Sequence, residues 1–346
     1  MLDLPVSRRA FLGGAAAVGL AVTGSTLLPV TAAHAAGPDL ACWGDSLTYG
    51  VGGAGVTYPD ELSKLLKLKV YNGGVIGERT SGISARQGGR VPVATFPTPS
   101  EPLPAGTFKV FLDSKQPFYA KTQVVQEEGT LDCTIGSVRG VLAKRDYSWE
   151  FNPYYFTRAD GANVLPPAGQ LRFDVSTEQY APTQIFWGGH NDLRLIYGPT
   201  PSDRDRGDVF REIVYDNTRL MTDAASATQQ PDRYLVLSML NGKFAGNGST
   251  TTGKPTDYYK NVVLLVNPQL AAEHGPQHYL DVRTWLVNDA LAYGGITPTA
   301  QDEKDLREDI PPSSLTVRGQ DPHLNSVGYT LLARYLAENL VRLGWY

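Results

Sequence analysis

The sequence predicts an α/β protein of three layers, in which helices cover both faces of a parallel sheet and a small antiparallel β domain is inserted. Two observations predict the main domain: short buried apolar runs alternate with amphipathic helical patterns, and the links between them are short. A third observation predicts the insertion. From about residue 91 to about residue 182, proline clusters separate short alternating or β-branched runs, which is typical of antiparallel strands.

The first α/β unit begins after the N-terminal segment. Asp39–Trp43 is a short apolar run that predicts a buried strand, and Tyr58–Leu66 carries leucines on one helical face. Lys67–Tyr71 predicts the second strand, which enters a glycine-rich turn. A strand, a helix and a strand joined by such short links indicate a parallel βαβ unit.

The insertion contains five runs that predict strands: Phe108–Leu112, Lys121–Val125, Gly129–Ile135, Val138–Leu142 and Leu171–Val175. Its middle is rich in aromatic residues: Tyr147, Trp149, Phe151, Tyr154, Tyr155 and Phe156. Such rings either stack on sugar faces or form the core of a β domain. The core is the favoured interpretation, because large aromatic residues are mostly buried.

The α/β pattern then returns and continues to the end of the chain. Strands are predicted at Gln184–Trp187, Tyr234–Met239 and Tyr279–Val282, and helices at Val209–Ala225, Tyr258–Ala272 and Tyr329–Leu343. The charged stretches Asp203–Asp208 and Gln301–Asp309 are expected to be solvated surface. The domains are therefore predicted as 36–90 with 183–346 for the α/β domain and 91–182 for the insertion.

Residues 1–35 have the pattern of an export signal. Arg8 and Arg9 precede an apolar stretch that runs to about Leu28, and a small-residue cleavage site follows at Ala33–Ala35. This pattern predicts a twin-arginine signal peptide and hence a secreted bacterial protein. No other stretch is long and apolar enough to span a bilayer, so we expect no stable membrane insertion once the signal is removed.

Charge and cysteine content exclude several classes of function. The signal carries two arginines and one aspartate, so its removal changes the formal net charge from −4 to −5. A mildly acidic chain without a basic stripe argues against a nucleic-acid partner. Cys42 and Cys133 are the only cysteines; two free thiols are favoured over a disulfide, and the residues predict no metal site.

Four short polar islands carry the residues that could perform chemistry. They are Gly44–Leu47, Asn72–Glu78, Gly189–Asp192 and Asp321–Asn325. The first follows a predicted buried strand and presents Ser46 either as a nucleophile or as the N-cap of the next helix. A serine hydroxyl needs a base to take its proton, and His323, just ahead of the C-terminal helix, is the candidate.

In this order the islands resemble the four motif blocks of the SGNH, or GDSL, hydrolase family, which is named after a Ser, a Gly, an Asn and a His. The resemblance implies a flavodoxin-like α/β/α sheet and ester hydrolysis through an acyl-serine, without a cofactor. It implies Ser46 as nucleophile and His323 as base. The implied oxyanion donors are the Ser46 and Gly74 backbone N–H groups and the Asn191 side-chain amide. The resemblance does not cover the insertion.

The last island departs from the family pattern in one respect. The family usually places an Asp three residues before the His, whereas Gln320 occupies that position here and Asp321 lies two residues before His323. The partner that orients His323 is therefore Asp321, another acid such as Asp309, or a backbone carbonyl serving a Ser–His dyad. Asp321 is the favoured candidate.

The expected function is that of a secreted serine esterase that deacetylates a carbohydrate. An aromatic, β-rich insertion and the lack of a long apolar lid favour a carbohydrate substrate. A lipase or phospholipase is the alternative within the family, with the glycine-rich segment 241–255 as its lid, and an acyltransferase would share the same residues. The alternative of another class is a catalytically degenerate glycan-binding protein. Nothing in the sequence predicts an oligomeric state.

Overall fold

The computed structural model describes residues 37–96, 106–112, 130–143, 154–160, 169–173, 180–193, 206–227, 232–242, 257–317 and 322–346. The predicted export signal lies outside these residues. So do Asp321, the predicted strand Lys121–Val125 and most of the segment 241–255. The export signal therefore stays a prediction.

Parallel strands form the sheet on which the main domain is built. In order across the sheet they are β11 (Tyr279–Leu280), β10 (Tyr234–Leu237), β9 (Thr183–Trp187), β1 (Leu40–Gly44) and β2 (Val70–Gly74). The predicted parallel sheet is thus confirmed. The second strand was predicted at Lys67–Tyr71, but it runs from Val70 to Gly74, because these residues pair with Leu40–Gly44 of β1 and Lys67 is the C-cap of the preceding helix.

Helices connect the strands and follow them: α1 (Ser46–Tyr49), α2 (Tyr58–Leu66), α3 (Thr80–Gln87), α4 (Arg206–Ser226), α5 (Asp257–Asn261), α6 (Asn267–His278), α7 (Val282–Asn288), α8 (Ala290–Tyr293), α9 (Ala300–Arg307) and α10 (Ser326–Arg342). A π-helical segment, Val262–Val266, interrupts the helix that was predicted at Tyr258–Ala272. Within the part of the chain that the structure describes, no helix has the length and apolarity needed to cross a bilayer.

Alternate residues of β1 enter two different cores. Leu40 and Cys42 belong to the core that includes residues of α2 and α10, whereas Ala41 and Trp43 belong to the core that includes residues of α3 and α4. All four side chains are fully buried. Burial on both faces is typical of a sheet covered by helices on both sides. Cys42 and Cys133 are both buried and form no disulfide, so the favoured interpretation of two thiols is confirmed.

The insertion forms a closed antiparallel barrel. Its strands are β3 (Val93–Thr95), β4 (Thr107–Leu112), β5 (Thr130–Ile135), β6 (Val138–Ala143), β7 (Tyr154–Arg158) and β8 (Gly169–Phe173), in the order β3-β4-β7-β6-β5-β8. Tyr154 and Phe156 are fully buried in the barrel core, which confirms the core interpretation for these two rings. Tyr147, Trp149 and Phe151 lie outside the described residues.

The barrel meets the main domain at the C-terminal end of α3. Ala85 packs in the barrel core, and Gln87 Nε2 donates to Oε1 of Gln184 at 3.0 Å. Gln184 lies near the start of β9, whereas Trp187 ends that strand. The attachment point of the barrel is therefore at the edge of the sheet opposite the carboxyl ends of the strands.

The acidic stretch around α9 corrects the expectation of solvated surface. Asp302 and Asp305 are completely buried, although Glu303, between them in sequence, is exposed. Both buried carboxylates accept hydrogen bonds from the serines that follow the helix, Ser313 and Ser314. The density of charges in the sequence predicts a solvated surface because it carries no information about hydrogen-bonding partners outside the stretch.

Candidate active site

Three strands end side by side at the edge of the sheet where the predicted site residues lie. In the register of the sheet, Gly44 of β1 lies opposite Gly74 of β2 and opposite Trp187 of β9. Ser46 lies in the segment after β1, and Asn191 lies in the segment after β9. A short turn follows β2. Parallel α/β sheets bind ligands beyond the carboxyl ends of their strands, so these three segments enclose a candidate active site.

Ser46 is the first residue of α1. Asp45 is the N-cap of that helix, and its Oδ1 accepts a hydrogen bond from the Leu47 backbone N–H at 3.0 Å. Gly44 makes the turn possible, since a Cβ there would lie 2.1 Å from Thr48 Oγ1. The two interpretations of the first island are thus separated: Asp45 performs the capping, and the Ser46 hydroxyl is left for another partner.

That partner is His323. Ser46 Oγ and His323 Nε2 lie 2.8 Å apart, although the two residues are 277 positions apart in sequence. His323 stands on the second arm of a short hairpin, where its carbonyl accepts from the Val317 N–H at 3.1 Å and Leu324 forms a bridge to Thr316. A separation of 2.8 Å is within the range that a general base requires of its nucleophile.

The imidazole of His323 needs a partner that orients it, and Asp321, the favoured candidate, lies outside the described residues. Asp309, the second candidate, forms an ion pair with Arg283, and its backbone carbonyl accepts a hydrogen bond from Asn241 Nδ2 at 2.9 Å. Burial raises the pKa of the Asp309 carboxyl, against the opposing effect of Arg283. Asp321 remains the proposed orienting residue, with a backbone carbonyl as the other alternative.

Gly74 lies beside the nucleophile turn, but its amide already has a partner. The Gly74 N–H donates to Asn72 Oδ1 at 3.0 Å. A Cβ at Gly74 would lie 2.1 Å from the backbone nitrogen of Tyr49, so glycine is needed for the close approach of β2 to α1. Its place as an oxyanion donor stays a prediction.

The turn after β2 contains a further glycine, Gly77, to which the resemblance assigned no role. Gly77 has φ = 73°, and the Glu78 N–H donates to the Val75 carbonyl at 3.2 Å. Glycine adopts the left-handed conformation without the steric cost that a side chain would add. The glycine at position 77, five residues after Asn72, could therefore have indicated a tight turn at this place in the sequence. We add its backbone N–H to the candidate oxyanion donors.

Asn191 is held against the same turn. It follows β9 in a 3-10 helix, His190–Leu193, and its Nδ2 donates to the Glu78 carbonyl at 2.9 Å. A primary amide nitrogen has two hydrogens, so this anchor engages one and orients the other. The third island therefore lies in contact with the second, as the resemblance implies.

A buried ion pair between Arg86 and Glu78 stabilises this turn. Arg86 Nη2 contacts Glu78 Oε2 at 2.5 Å and donates to the Gly73 carbonyl at 2.8 Å. Burial raises the pKa of Glu78 to about 7, although the charge of Arg86 acts to lower it. The pair ties the end of β2 to the turn that carries the Asn191 anchor. No sequence pattern predicted it.

His190, the neighbour of Asn191, has a structural role. Its Nε2 accepts a hydrogen bond from the Leu240 backbone N–H at 2.9 Å, so the proton of the neutral ring is on Nδ1. Nδ1 lies 3.4 Å from Asp45 Oδ2. His190 thus links the segment after β10 to the residue that caps the nucleophile helix.

Asp192, the residue after Asn191, is a buried acid whose pKa can be tested by its effect on stability. It is fully buried and accepts from the Thr80 backbone N–H at 2.9 Å and from its hydroxyl at 3.0 Å. Burial raises its pKa to about 6, although Arg79 acts to lower it. An acid with a higher pKa in the folded state than in the unfolded state makes the free energy of unfolding fall as pH rises between the two values.

We therefore expect Asp192→Asn to abolish a fall of about 1–3 kcal/mol in the free energy of unfolding, relative to the wild type, between about pH 4 and pH 6. The measurement is urea unfolding at a series of pH values. Asp223→Asn is the matched control, because the Asp223 side chain is 68% exposed. An Asp192→Asn curve parallel to that of the wild type would contradict the expectation.

Among the described residues, no group of three or more His, Cys, Asp or Glu side chains is arranged to hold a metal ion. The polar groups that the four islands supply include the Ser46 hydroxyl, the His323 imidazole, the Asn191 amide and the Asp45 capping carboxylate. This set suits proton transfer and hydrogen bonding to a developing oxyanion.

Comparison with known proteins finds no matching family model and no matching curated protein. Two solved structures are similar in part. A gut microbial diltiazem-metabolizing enzyme has a TM-score of 0.42 at 10% identity, covering 88% of this chain and 46% of that one. A salicylyl-acyltransferase from a tetracycline biosynthetic pathway has a TM-score of 0.23 at 16% identity, covering 76% of this chain and 86% of that one. This chain spans less than half the length of the first, and likeness at these scores decides neither family nor activity.

Proposed function

We propose that this protein is a serine esterase of the SGNH type that works through an acyl-serine intermediate. The observation that carries the proposal is the 2.8 Å contact between Ser46 Oγ and His323 Nε2. It joins the first and last of the four islands at the carboxyl edge of a parallel sheet. Two surface residues without a shared function would rarely lie in hydrogen-bond contact at this edge.

The reaction follows from the two side chains. His323 Nε2 takes the proton of Ser46 as Oγ attacks the ester carbonyl carbon, and a tetrahedral oxyanion forms. The bond to the alcohol oxygen then breaks, and His323 returns the proton to that oxygen. Water repeats the sequence on the acyl-serine, so that His323 acts first as base and then as acid. Asp321 is the residue proposed to orient the imidazole.

The oxyanion needs donors that are in place before it forms. The proposed donors are the backbone N–H groups of Ser46 and Gly74 and the side-chain amide of Asn191. Gly77 joins them as an alternative to Gly74, whose N–H donates to Asn72. The anchor from Asn191 to Glu78 supports this assignment, because it holds one donor in a fixed orientation.

The proposed substrate is an ester of a carbohydrate, acetyl above all, met by the enzyme after twin-arginine export. The buried positions of Tyr154 and Phe156 remove these two rings as a platform for sugars. The attachment of the barrel at the opposite edge of the sheet also weakens the case for a role of its aromatic residues in substrate binding. The remaining support is the lack of a long apolar lid in the sequence.

Other functions are compatible with parts of this site. A lipase or phospholipase would use the same residues with the segment 241–255 as a lid, and an acyltransferase would differ only in the acceptor that reaches the acyl-serine. A glycan-binding protein on a degenerate scaffold would have no use for the hydrogen bond between Ser46 and His323. That contact therefore favours an enzyme.

A panel of p-nitrophenyl esters from acetyl to palmitoyl tests the proposal on the chain from Ala36 onward. We expect turnover that is highest with acetyl, falls as the acyl chain lengthens, and is lost in Ser46→Ala. Release of acetate from an acetylated polysaccharide then tests the alcohol part. A preference for long chains would favour the lipase, and turnover that does not depend on Ser46 would refute the nucleophile.

A further inference from the structure

We propose that Asp302 and Asp305, on α9, are positioning residues for His323, which hold the segment that sets the place of its imidazole. The inference rests on the proposed function of His323 as base. The two carboxylates are one helical turn apart, and both are completely buried. Neither belongs to the four islands or touches the reacting atoms.

Each carboxylate fastens one serine of the segment after α9. Asp302 accepts from the Ser314 backbone N–H at 2.8 Å and from its hydroxyl at 2.6 Å. Asp305 accepts from the Ser313 backbone N–H at 2.9 Å and from its hydroxyl at 2.5 Å. Two consecutive residues are thereby fixed through both main chain and side chain.

The fixed segment leads directly into the hairpin that carries His323. Asn325 Nδ2 donates to the Ser314 carbonyl at 2.9 Å, and the Asn325 N–H donates to the Leu315 carbonyl at 2.9 Å. The hairpin is closed by the bridge between Thr316 and Leu324. The arm that contains His323 is therefore held by the arm that the two aspartates fasten.

The nucleophile segment packs against the same hairpin. A Cβ at Gly52 would lie 2.1 Å from Val317 Cγ2 and 2.6 Å from the Leu324 carbonyl oxygen. There is thus no space between the loop after α1 and the hairpin. A shift of the first arm would therefore displace either this loop, which follows the nucleophile helix, or the arm that carries His323.

The chemistry of the partners explains why carboxylates occupy these positions. The hydrogen-bonding partners of Asp302 and Asp305 are neutral donors: Ser313, Ser314, Thr299 and Gln301. Burying an ionised carboxylate is costly unless several donors compensate it. A carboxylate accepts from several donors at once, whereas an amide in the same place would turn an N–H group toward one of them.

The effect on catalysis follows from the sensitivity of proton transfer to distance. A general base must lie about 2.6–3.2 Å from the proton donor, and a misplacement of about 1 Å lowers the rate about 10²-fold. We expect Asp302→Asn and Asp305→Asn to lower kcat per active site about 10–100-fold, with KM changed less than about twofold. Ser314→Ala removes a single donor and should give a smaller loss of the same kind.

The control is Glu303→Gln, which removes an exposed carboxylate from the same helix. Titration of active sites with a fluorophosphonate, whose phosphorus Ser46 attacks, separates loss of positioning from loss of folded protein. In the aspartate variants we expect slower labelling and an altered acid limb of the kcat/KM pH profile. Wild-type kcat per titrated site in both aspartate variants, even with reduced thermal stability, would overturn the inference.

A second readout does not depend on turnover. The imidazole resonances of His323, assigned by comparison with His323→Gln, should shift in Asp302→Asn and Asp305→Asn and stay in place in Glu303→Gln. Unchanged resonances in the aspartate variants would overturn the positioning role. Failure of the proposed function appears differently, as a wild-type protein that neither hydrolyses esters nor labels at Ser46.

Discussion

Ser46→Ala and His323→Ala are each expected to lower kcat for ester hydrolysis by about 10⁴-fold or more. The physical reason is the single hydrogen bond of 2.8 Å between their side chains. A serine without a base is a poor nucleophile, and a base without the serine hydroxyl has no proton to take. Steady-state kinetics with p-nitrophenyl acetate measures the loss.

The double variant should be no slower than either single variant, because the two residues act as one unit. His278→Gln is a suitable control, since His278 stacks on Tyr234 and its Nδ1 lies 3.0 Å from the Tyr234 carbonyl oxygen. It should keep wild-type kcat. Losses that multiply in the double variant would mean that Ser46 and His323 contribute independently, and the acyl-serine mechanism would then need revision.

The site residues that could be predicted from the sequence are those that directly follow a recognisable buried strand. Ser46 follows a run that is apolar on both faces, and Asn191 follows another, so buried parallel strands were recognisable together with the residues they deliver. The contact between Ser46 and His323 was predicted from residue types and order. The same locality explains why α2 was predicted with its observed bounds, Tyr58–Leu66.

The support of the site could not be predicted in this way. Glu78, Arg86, Asp302 and Asp305 are charged residues in polar stretches, and composition assigns such residues to the surface. Their burial depends on partners that only the fold brings together, such as Ser313 for Asp305. Sequence spacing carries little information about these contacts.

The closure of the barrel was unpredictable for a related reason. β3 has only three residues, Val93–Thr95, and closes the barrel by pairing with β8, far along the chain. A strand so short has no recognisable period. The sequence predicts the aromatic residues of β7 as core residues, but none of the five predicted strands covers Tyr154–Arg158.

Asn191→Ala is expected to lower kcat about 10²–10³-fold with little change in KM, because a donor aimed at the oxyanion acts mainly in the transition state. The Asn191 amide is suited to this role by its anchor to the Glu78 carbonyl, which removes the need to order the side chain during the reaction. Asn288→Ala, at an exposed position on α7, is the control and should be unaffected.

The separate effects of Asn191→Ala on kcat and on KM decide between two roles for Asn191. If it served only to hold the turn after β2, its loss would also disturb Glu78 and the ion pair with Arg86, and stability would fall together with substrate affinity. A kcat loss with unchanged KM and an unchanged melting temperature instead requires an interaction made in the transition state. Wild-type kcat in Asn191→Ala would remove this residue from the oxyanion site and leave backbone amides, including that of Gly77, as its donors.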